Sequence, residues 1–477
     1  IGYVGPVSDY YLDRTKDPDP LLQIPRFQVG KTGVEAQMEQ SLRGSAGHQR
    51  IEVNAVGRVM RELERTEGEQ GATIKLTINS KIQNFVLARM DGLSASAVVI
   101  DCESGDLLAV GSSPSFDPNL FVRGISTDDY SGLRNDIFGP LRAKAVQGTY
   151  APASTFKMMT ALAALEDGVL SAEDTFFCPG HFEVSNNRFH CWKRRGHGTM
   201  NVADSIIQSC DVFFYEVGQK VGIDKISAMA RRFGLGEHHN LPLSAVSRGV
   251  APTREWKKKS FGKSWLLGDT VNASIGQGYV LASPLQLAVM AARLGTGRAL
   301  QPRLIQSIND EQMPLGAGAP LDVDPEHLAI VQKAMFGVSN SKVGTAFSKR
   351  IISQDLRMSG KTGTAQVRRI TAEERATGVI RNEDLPWEKR DHALFVDYAP
   401  HDNPKVAVAV VVEHGGGGSS VAAPIARDIT LFALTGKMPD LDHYPAGVRK
   451  KIRSDQKNLA PKLIDWNSVS TSGQSKT

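Results

Sequence analysis

The chain has 477 residues, 41% hydrophobic and 22% charged, with net charge +5 and a pI near 8.9. That composition suits a folded protein of one large domain plus a smaller one, and the charge excess is too mild for a nucleic-acid-binding surface. No apolar run reaches the ~18 residues of a membrane helix; the longest, residues 406–412, is strand-sized. The first residue is Ile1 rather than Met, so a preceding segment with a signal or membrane anchor is expected.

Residues 1–71 read as the remainder of an N-terminal module. Residues 8–23 are Asp/Pro-rich and loop-like, 33–43 predict a short helix, and Ile51-Glu52-Val53 begins a strand. Alternation over residues 73–78 predicts a strand, and 81–90 predict a helix. Residues 95–101 and 106–112 predict two strands joined at Glu103-Ser104-Gly105, a hairpin signal. Helical patterns fill much of 155–294, where Lys257-Lys258-Lys259 reads as a solvated loop. Strands resume at 358–367, 392–398 and 405–413. The sum is an α+β fold with five antiparallel strands, two before and three after a helical block. Residues 368–391 are charged and interrupted, and read as a loop beside the site. Gly415 to Gly418 form a turn without the lysine and following helix of a phosphate loop. Beyond about 438 the chain turns polar, and 468–477 read as disordered. The expected division is 1–71, a domain over 72–440, and a largely disordered tail over 441–477.

Three short strings carry the chemistry: Ser154-Thr155-Phe156-Lys157, Ser209-Cys210-Asp211 and Lys361-Thr362-Gly363-Thr364. A serine hydroxyl needs a neighbouring base before it becomes a good nucleophile. Ser154 follows Pro152 and Ala153 at a predicted helix start, and Lys157 lies three residues on, sharing its face. A partly desolvated lysine there has a lowered pKa and can accept the proton. Ser209 lies between two helical patterns, placed to relay a proton to a leaving group. Lys361 and Thr362 offer a charge and a hydroxyl to a substrate carboxylate from an edge-type strand. Gly363 permits close backbone approach, and the Thr364 N–H is a candidate oxyanion donor. Read singly, each string is equally an ordinary cap or turn; their order and completeness point to an active-serine acyl transferase.

Cys178, Cys191, His197 and Cys210 follow the spacing C-x12-C-x5-H-x12-C. Three thiolates and an imidazole match a closed tetrahedral zinc shell, though the spacing matches no compact finger. A disulfide between two of them, or buried free thiols, are the alternatives. His190 is a second possible ligand, awkwardly adjacent to Cys191, and Cys102 reads as a packed strand-end residue. A metal at Cys210 fixes the second motif from behind, because neighbouring side chains point apart.

Taken together, the chain resembles the class B penicillin-binding proteins, D,D-transpeptidases of peptidoglycan synthesis, and most of all the elongation type, penicillin-binding protein 2. The strings that carry the resemblance run from Gly148 to Lys157, Asp211-Val212-Phe213-Phe214-Tyr215, Ile275-Gly276-Gln277-Gly278-Tyr279, Ser283 to Ala288, and Ser359 to Ala365. They span about residues 73–436, and Gly2-Tyr3-Val4-Gly5 resembles part of the pedestal module that precedes the catalytic domain. The resemblance implies the penicillin-binding transpeptidase fold: a five-stranded antiparallel sheet flanked by helices, with an all-helical subdomain. It implies Ser154 as nucleophile, Lys157 as base, and Ser209, Asp211 and Lys361 in the proton-relay site. It also implies Thr362, Gly363 and Thr364 as substrate-binding residues. β-Lactams would trap Ser154, and no cofactor is needed for acyl transfer. Some members bind zinc near the second motif, where Cys178, Cys191, His197 and Cys210 align. A membrane glycan polymerase, an elongation complex and the periplasmic face of the inner membrane are the implied partners and place. Asp211 departs from the commoner asparagine. A β-lactam-hydrolysing or β-lactam-sensing serine protein, or a silent scaffold for a polymerase, are the alternatives. Hydrolysis needs a group to activate the deacylating water, which no motif places.

Overall fold

The computed structural model describes residues 1–13, 19–184 and 186–464. Five strands build the central sheet: β1 (Ala95–Asp101), β2 (Leu107–Ser113), β3 (Ser359–Ala365), β4 (His392–Ala399) and β5 (Val406–Val412). Their order is β3-β4-β5-β1-β2, antiparallel throughout. The centre of the sheet is fixed by β5, whose sequence Val-Ala-Val-Ala-Val-Val-Val is apolar at every position. A strand with no polar face must be covered on both sides. The helices that matter here are α1 (Ser80–Met90), α2 (Lys157–Glu166), α3 (Val202–Ile207), α4 (Asp211–Val221), α5 (Pro284–Thr296), α6 (Ala423–Thr435) and α7 (Arg449–Leu459). One face of the sheet lies under α5, where Gly295 allows the approach: a Cβ there would come within 2.8 Å of the Tyr398 ring. The opposite face lies under α6, whose Thr430 hydroxyl donates to Asp397. Strand β3 is left at the edge, as its polar sequence predicts.

The predicted strand near residue 74 forms, but outside the main sheet. Ile74–Leu76 pairs with Ile305–Ile308 in a separate three-stranded sheet. In the N-terminal part, Val4–Pro6 pairs with Gln28–Gly30, and the predicted helix over 33–43 splits into Gly33–Gln37 and Glu39–Arg43. His48–Val53 and Val59–Thr66 form a hairpin exposed along its whole length. The helical block contains two small hairpins, Phe176–Cys178 with Gly198–Met200 and His181–Val184 with Asn187–His190. Among the described residues no helix is long and apolar enough to cross a membrane.

Three expectations are corrected. Lys257 is not solvated: it lies in the helix Arg254–Phe261, is buried, pairs with Asp269, and sits over the rings of Tyr279 and Trp265 at 5.2 and 5.7 Å. A lysine run looks solvated in sequence because the carboxylate and rings that receive one of its members are 8–22 residues away. The glycine turn at 415–418 is followed by a helix after all, since a π-helical turn, Gly418–Ala422, runs directly into α6. Pro424 in the first turn of α6 is a helix-start residue that the turn reading overlooked. The tail expected over 441–477 is ordered as far as residue 464, for Ile452 and Leu459, seven apart on one face of α7, are buried. The disorder expected at 468–477 lies outside the described residues.

Asp397 is the one carboxyl buried in the sheet's α6 face, and burial pushes its pKa up to about 7. Its Oδ1 accepts from Thr430 at 2.8 Å, while Oδ2 has no partner. Between about pH 4 and about pH 7 the unfolded chain has lost this proton and the native chain keeps it. Stability from this group is therefore present at low pH and lost as pH rises through about 7. Asp397→Asn removes that slope. The urea midpoint of the variant, relative to the unmodified chain, is expected to rise from pH 5 to pH 8; a constant difference contradicts the assignment.

Candidate active site

Ser154 sits in a 3-10 turn, Ala153–Phe156, that leads into α2. Ala153 adopts a left-handed φ of +50°, and its N–H donates to the Gly276 carbonyl at 2.8 Å. Gly276 itself has φ +70°, and a Cβ there would come within 2.4 Å of the Ala153 oxygen. The Ile275-Gly276-Gln277-Gly278 loop is thus glycine-rich because it braces the nucleophile's turn from directly beneath.

Lys157 is fully buried. An ammonium has three donors, and those of Lys157 reach Ser209 O at 3.0 Å, Ser209 Oγ at 3.3 Å and Asp211 Oδ1 at 2.7 Å. In this resting arrangement the lysine faces the second motif rather than Ser154, the neighbour that helical spacing singled out. Ser209 occupies the link between α3 and α4 with φ +57°, a conformation costly for a residue with a side chain. It is not a helix N-cap; Cys210 holds that position. Asp211 opens α4, buried, with Oδ1 on Lys157 and Oδ2 accepting the Trp192 N–H at 2.9 Å. Burial raises its pKa, against the opposing pull of the Lys157 ammonium.

Edge strand β3 brings the third motif against the same point. Lys361 Nζ donates to Ser209 Oγ at 2.8 Å and to Thr362 O at 3.2 Å. Burial, then repulsion from Lys157, lowers its pKa well below the ordinary lysine value. Gly363 lets the strand press on the nucleophile's turn: a Cβ would meet Pro152 O, Thr155 Cγ2 and Leu394 Cβ, each at 3.1 Å. Thr362 Oγ1 pairs with Thr345 Oγ1 at 2.8 Å. Thr364 is exposed, and its hydroxyl accepts from the Gly418 N–H at 3.2 Å. The fold therefore brings Ser154, Lys157, Ser209, Asp211, Lys361, Thr362, Gly363 and Thr364 together at one place. Thr345 and Trp192 were missed by sequence reasoning. Thr345 carries no motif signal; Trp192 adjoins a candidate metal ligand, the only hint in the sequence.

Behind the second motif, the ligand atoms of Cys178, Cys191, His197 and Cys210 all lie within 4.8 Å of one another. His197 Nδ1 is 3.4 Å from Cys191 Sγ and 3.7 Å from Cys178 Sγ. The four cysteines are free thiols, which sets the disulfide alternative aside in this structure. Zn–S bonds of about 2.3 Å imply tetrahedral ligand separations of ~3.8 Å, so this donor set fits a zinc ion in size and chemistry. Hydrogen bonds from Cys191 and Cys210 pull the Cys178 thiol well below its ordinary value, while hydrogen bonding to Cys178 and Cys191 pushes Cys210 up. His190 stays outside the cluster, its carbonyl accepting from Tyr215. Cys191 Sγ also accepts the Asp211 N–H at 3.4 Å, tying the cluster to the catalytic motif.

The family model described as "Penicillin binding protein transpeptidase domain" matches residues 95–431, and that described as "Penicillin-binding Protein dimerisation domain" matches residues 1–76. The chain is 36% identical over 460 residues to the peptidoglycan D,D-transpeptidase MrdA of Haemophilus influenzae, covering 94% of this chain and 70% of that protein. Its structure superposes on Pseudomonas aeruginosa PBP2 in complex with WCK 5153 with a TM-score of 0.77 at 34% identity, over 94% of this chain and 90% of the other. On Helicobacter pylori PBP2, solved in complex with MreC, the TM-score is 0.80 at 31% identity, over 91% and 77%. A dimerisation-domain match, a transpeptidase-domain match over most of the chain and the convergence of all three motifs place this chain in the penicillin-binding protein transpeptidase family.

Proposed function

We propose that the chain is a peptidoglycan D,D-transpeptidase that cross-links stem peptides through a serine acyl-enzyme during cell-wall elongation and is trapped by β-lactams. The observation that carries this reading is the convergence of two buried lysines on the Ser209 hydroxyl beside the Ser154 turn. Ser154 Oγ attacks the carbonyl of the penultimate D-alanine, and its proton passes to the Lys157 nitrogen as that ammonium hands one of its own protons to the Ser209 hydroxyl. The proton then reaches the leaving D-alanine nitrogen through Ser209 Oγ, and the carbon–nitrogen bond breaks. Lys361, easily deprotonated in its buried site, sets the hydrogen bonding of that hydroxyl. Thr362 and Thr364 hold the terminal carboxylate, with Gly363 keeping the strand clear of a side chain there. The N–H groups of Ser154 and Thr364 face the oxyanion. A second stem peptide's amine then attacks the ester, forming the cross-link and freeing Ser154.

Cys178, Cys191, His197 and Cys210 hold a structural zinc ion on this reading, remote from the bond being made and supplying order rather than chemistry. Residues 1–71 form a pedestal, 72–440 the transpeptidase domain and 441–477 a C-terminal segment. The domain acts at the periplasmic face of the inner membrane. Its partners are a membrane glycan polymerase and elongation-complex proteins, in keeping with the MreC complex of the Helicobacter pylori relative.

Intact mass spectrometry after mixing with penicillin tests the chemistry. A single adduct on the Ser154 peptide, stable over hours, is expected, and none for Ser154→Ala. An adduct on the alanine variant sinks the active-serine reading, and rapid loss of the wild-type adduct favours a hydrolase. For the metal, elemental analysis should find one zinc per chain. Cys178→Ser should lose it on dialysis and melt at lower temperature; a metal-free chain with an unchanged melting curve overturns the assignment.

A further inference from the structure

Trp192 stands out among the residues around the site that no motif covers. It is 60% exposed, so burial of its ring does not account for it. Its hydrogen bonds do. The indole Nε1–H donates to Ser209 O at 2.9 Å and to Gln208 O at 3.2 Å. Its backbone N–H donates to Asp211 Oδ2 at 2.9 Å. Ser209 and Asp211 are also the two residues on which Lys157 spends its donors: Ser209 O is shared outright, and Asp211 is shared one oxygen each. The ring stands edge-on to His197, centroids 5.4 Å apart. Ser209 meanwhile holds φ +57°, a conformation that persists only when its surroundings over-determine it.

We infer that Trp192 is a positioning residue for acylation: its indole N–H clamps the Ser209 carbonyl, and so holds both the Ser209 hydroxyl and the Lys157 ammonium in register with Ser154. The inference rests on the proposed acyl-transfer reading of this cleft. Loss of the clamp frees Ser209 to relax from its left-handed backbone. Its hydroxyl then drifts from Lys361, and the Lys157 cradle loses its fixed wall. The effect falls on the chemical step rather than on substrate binding, because Trp192 acts through Ser209.

The test removes the N–H and keeps the ring. In the full chain, Trp192 is replaced site-specifically by 3-benzothienylalanine, in which sulfur stands where the N–H was, and separately by 5-fluorotryptophan, which keeps it. Acylation by a fluorescent penicillin is resolved into the binding constant and the rate constant of the covalent step. Loss of one such hydrogen bond predicts a ~3- to 10-fold slower covalent step for the benzothienyl chain. Binding should be unchanged, and the fluoro chain should react at the wild-type rate. Equal rates for the benzothienyl and unmodified chains overturn the inference, as does an equal loss in both variants. A wild-type chain that takes up no penicillin overturns the functional reading instead. The clamp is then read from the Trp192 indole N–H signal by NMR, assigned by its absence in Trp192→Phe: slow exchange with solvent supports it, and rapid exchange overturns it.

Discussion

Two buried lysines converge on one serine hydroxyl, and most of the structure exists to make that possible. Lys157 and Lys361 are both shielded from water, with Asp211 the single carboxylate bonded to them among the described residues. Two like charges in such a place repel, and each is costly to desolvate. The outcome is visible at Lys361, whose proton is loosened by burial first and by Lys157 second. A site built this way does not need a strong base brought in from outside. It needs rigid walls that stop the lysines from swinging out to solvent.

Those walls come from opposite ends of the chain. The apolar strand β5 fixes the sheet centre and leaves β3 at the edge, so Lys361 arrives on a backbone that cannot slip register without exposing its neighbours. The helical block supplies Lys157 and Ser209 on α2 and the α3–α4 link. The two halves meet at Gly363, which presses on Pro152 and Thr155, while Gly276 against Ala153 and Gly418 against Gly363 brace each half from within. Strained backbone at Ala153 and Ser209 sits at the points of contact. Strain of this kind survives only between rigid supports, which accounts for the cysteine–histidine cluster standing directly behind Ser209.

Much of this was legible in the sequence, and the reasons differ element by element. The strands β1, β4 and β5 announce themselves by apolar runs bounded by turns, and β3 by its motif. The Ser154, Ser209 and Lys361 strings were readable because acyl transfer needs those side-chain types and the motif set of penicillin-recognising enzymes carries them in that order. The cysteine cluster was readable from donor types alone. What escaped was whatever depended on distant partners. Lys257 is buried only because Asp269, Trp265 and Tyr279 fold onto it. The order in 441–464 depends on α7 finding a surface for two apolar residues among eleven. The three donors of Lys157 turned toward Ser209 and Asp211 because tertiary acceptors outcompeted the local helical neighbour.

The aspartate at 211 shows how such partners select a residue type. Its two oxygens each receive a donor, Lys157 on Oδ1 and the Trp192 N–H on Oδ2. An asparagine, the commoner residue at this motif position, has one acceptor atom and an amide that only donates. Placed here unchanged, it would set its NH2 group against either the ammonium or the Trp192 N–H, donor facing donor, and leave a buried group unpaired. A carboxylate meets both donors and also supplies the one negative charge between two lysines. The departure at Asp211 is therefore not a neutral exchange: it belongs with the Cys191-Trp192 loop that reaches over the motif. The residue type at 211 and the Trp192 N–H of that loop are matched as acceptor and donor.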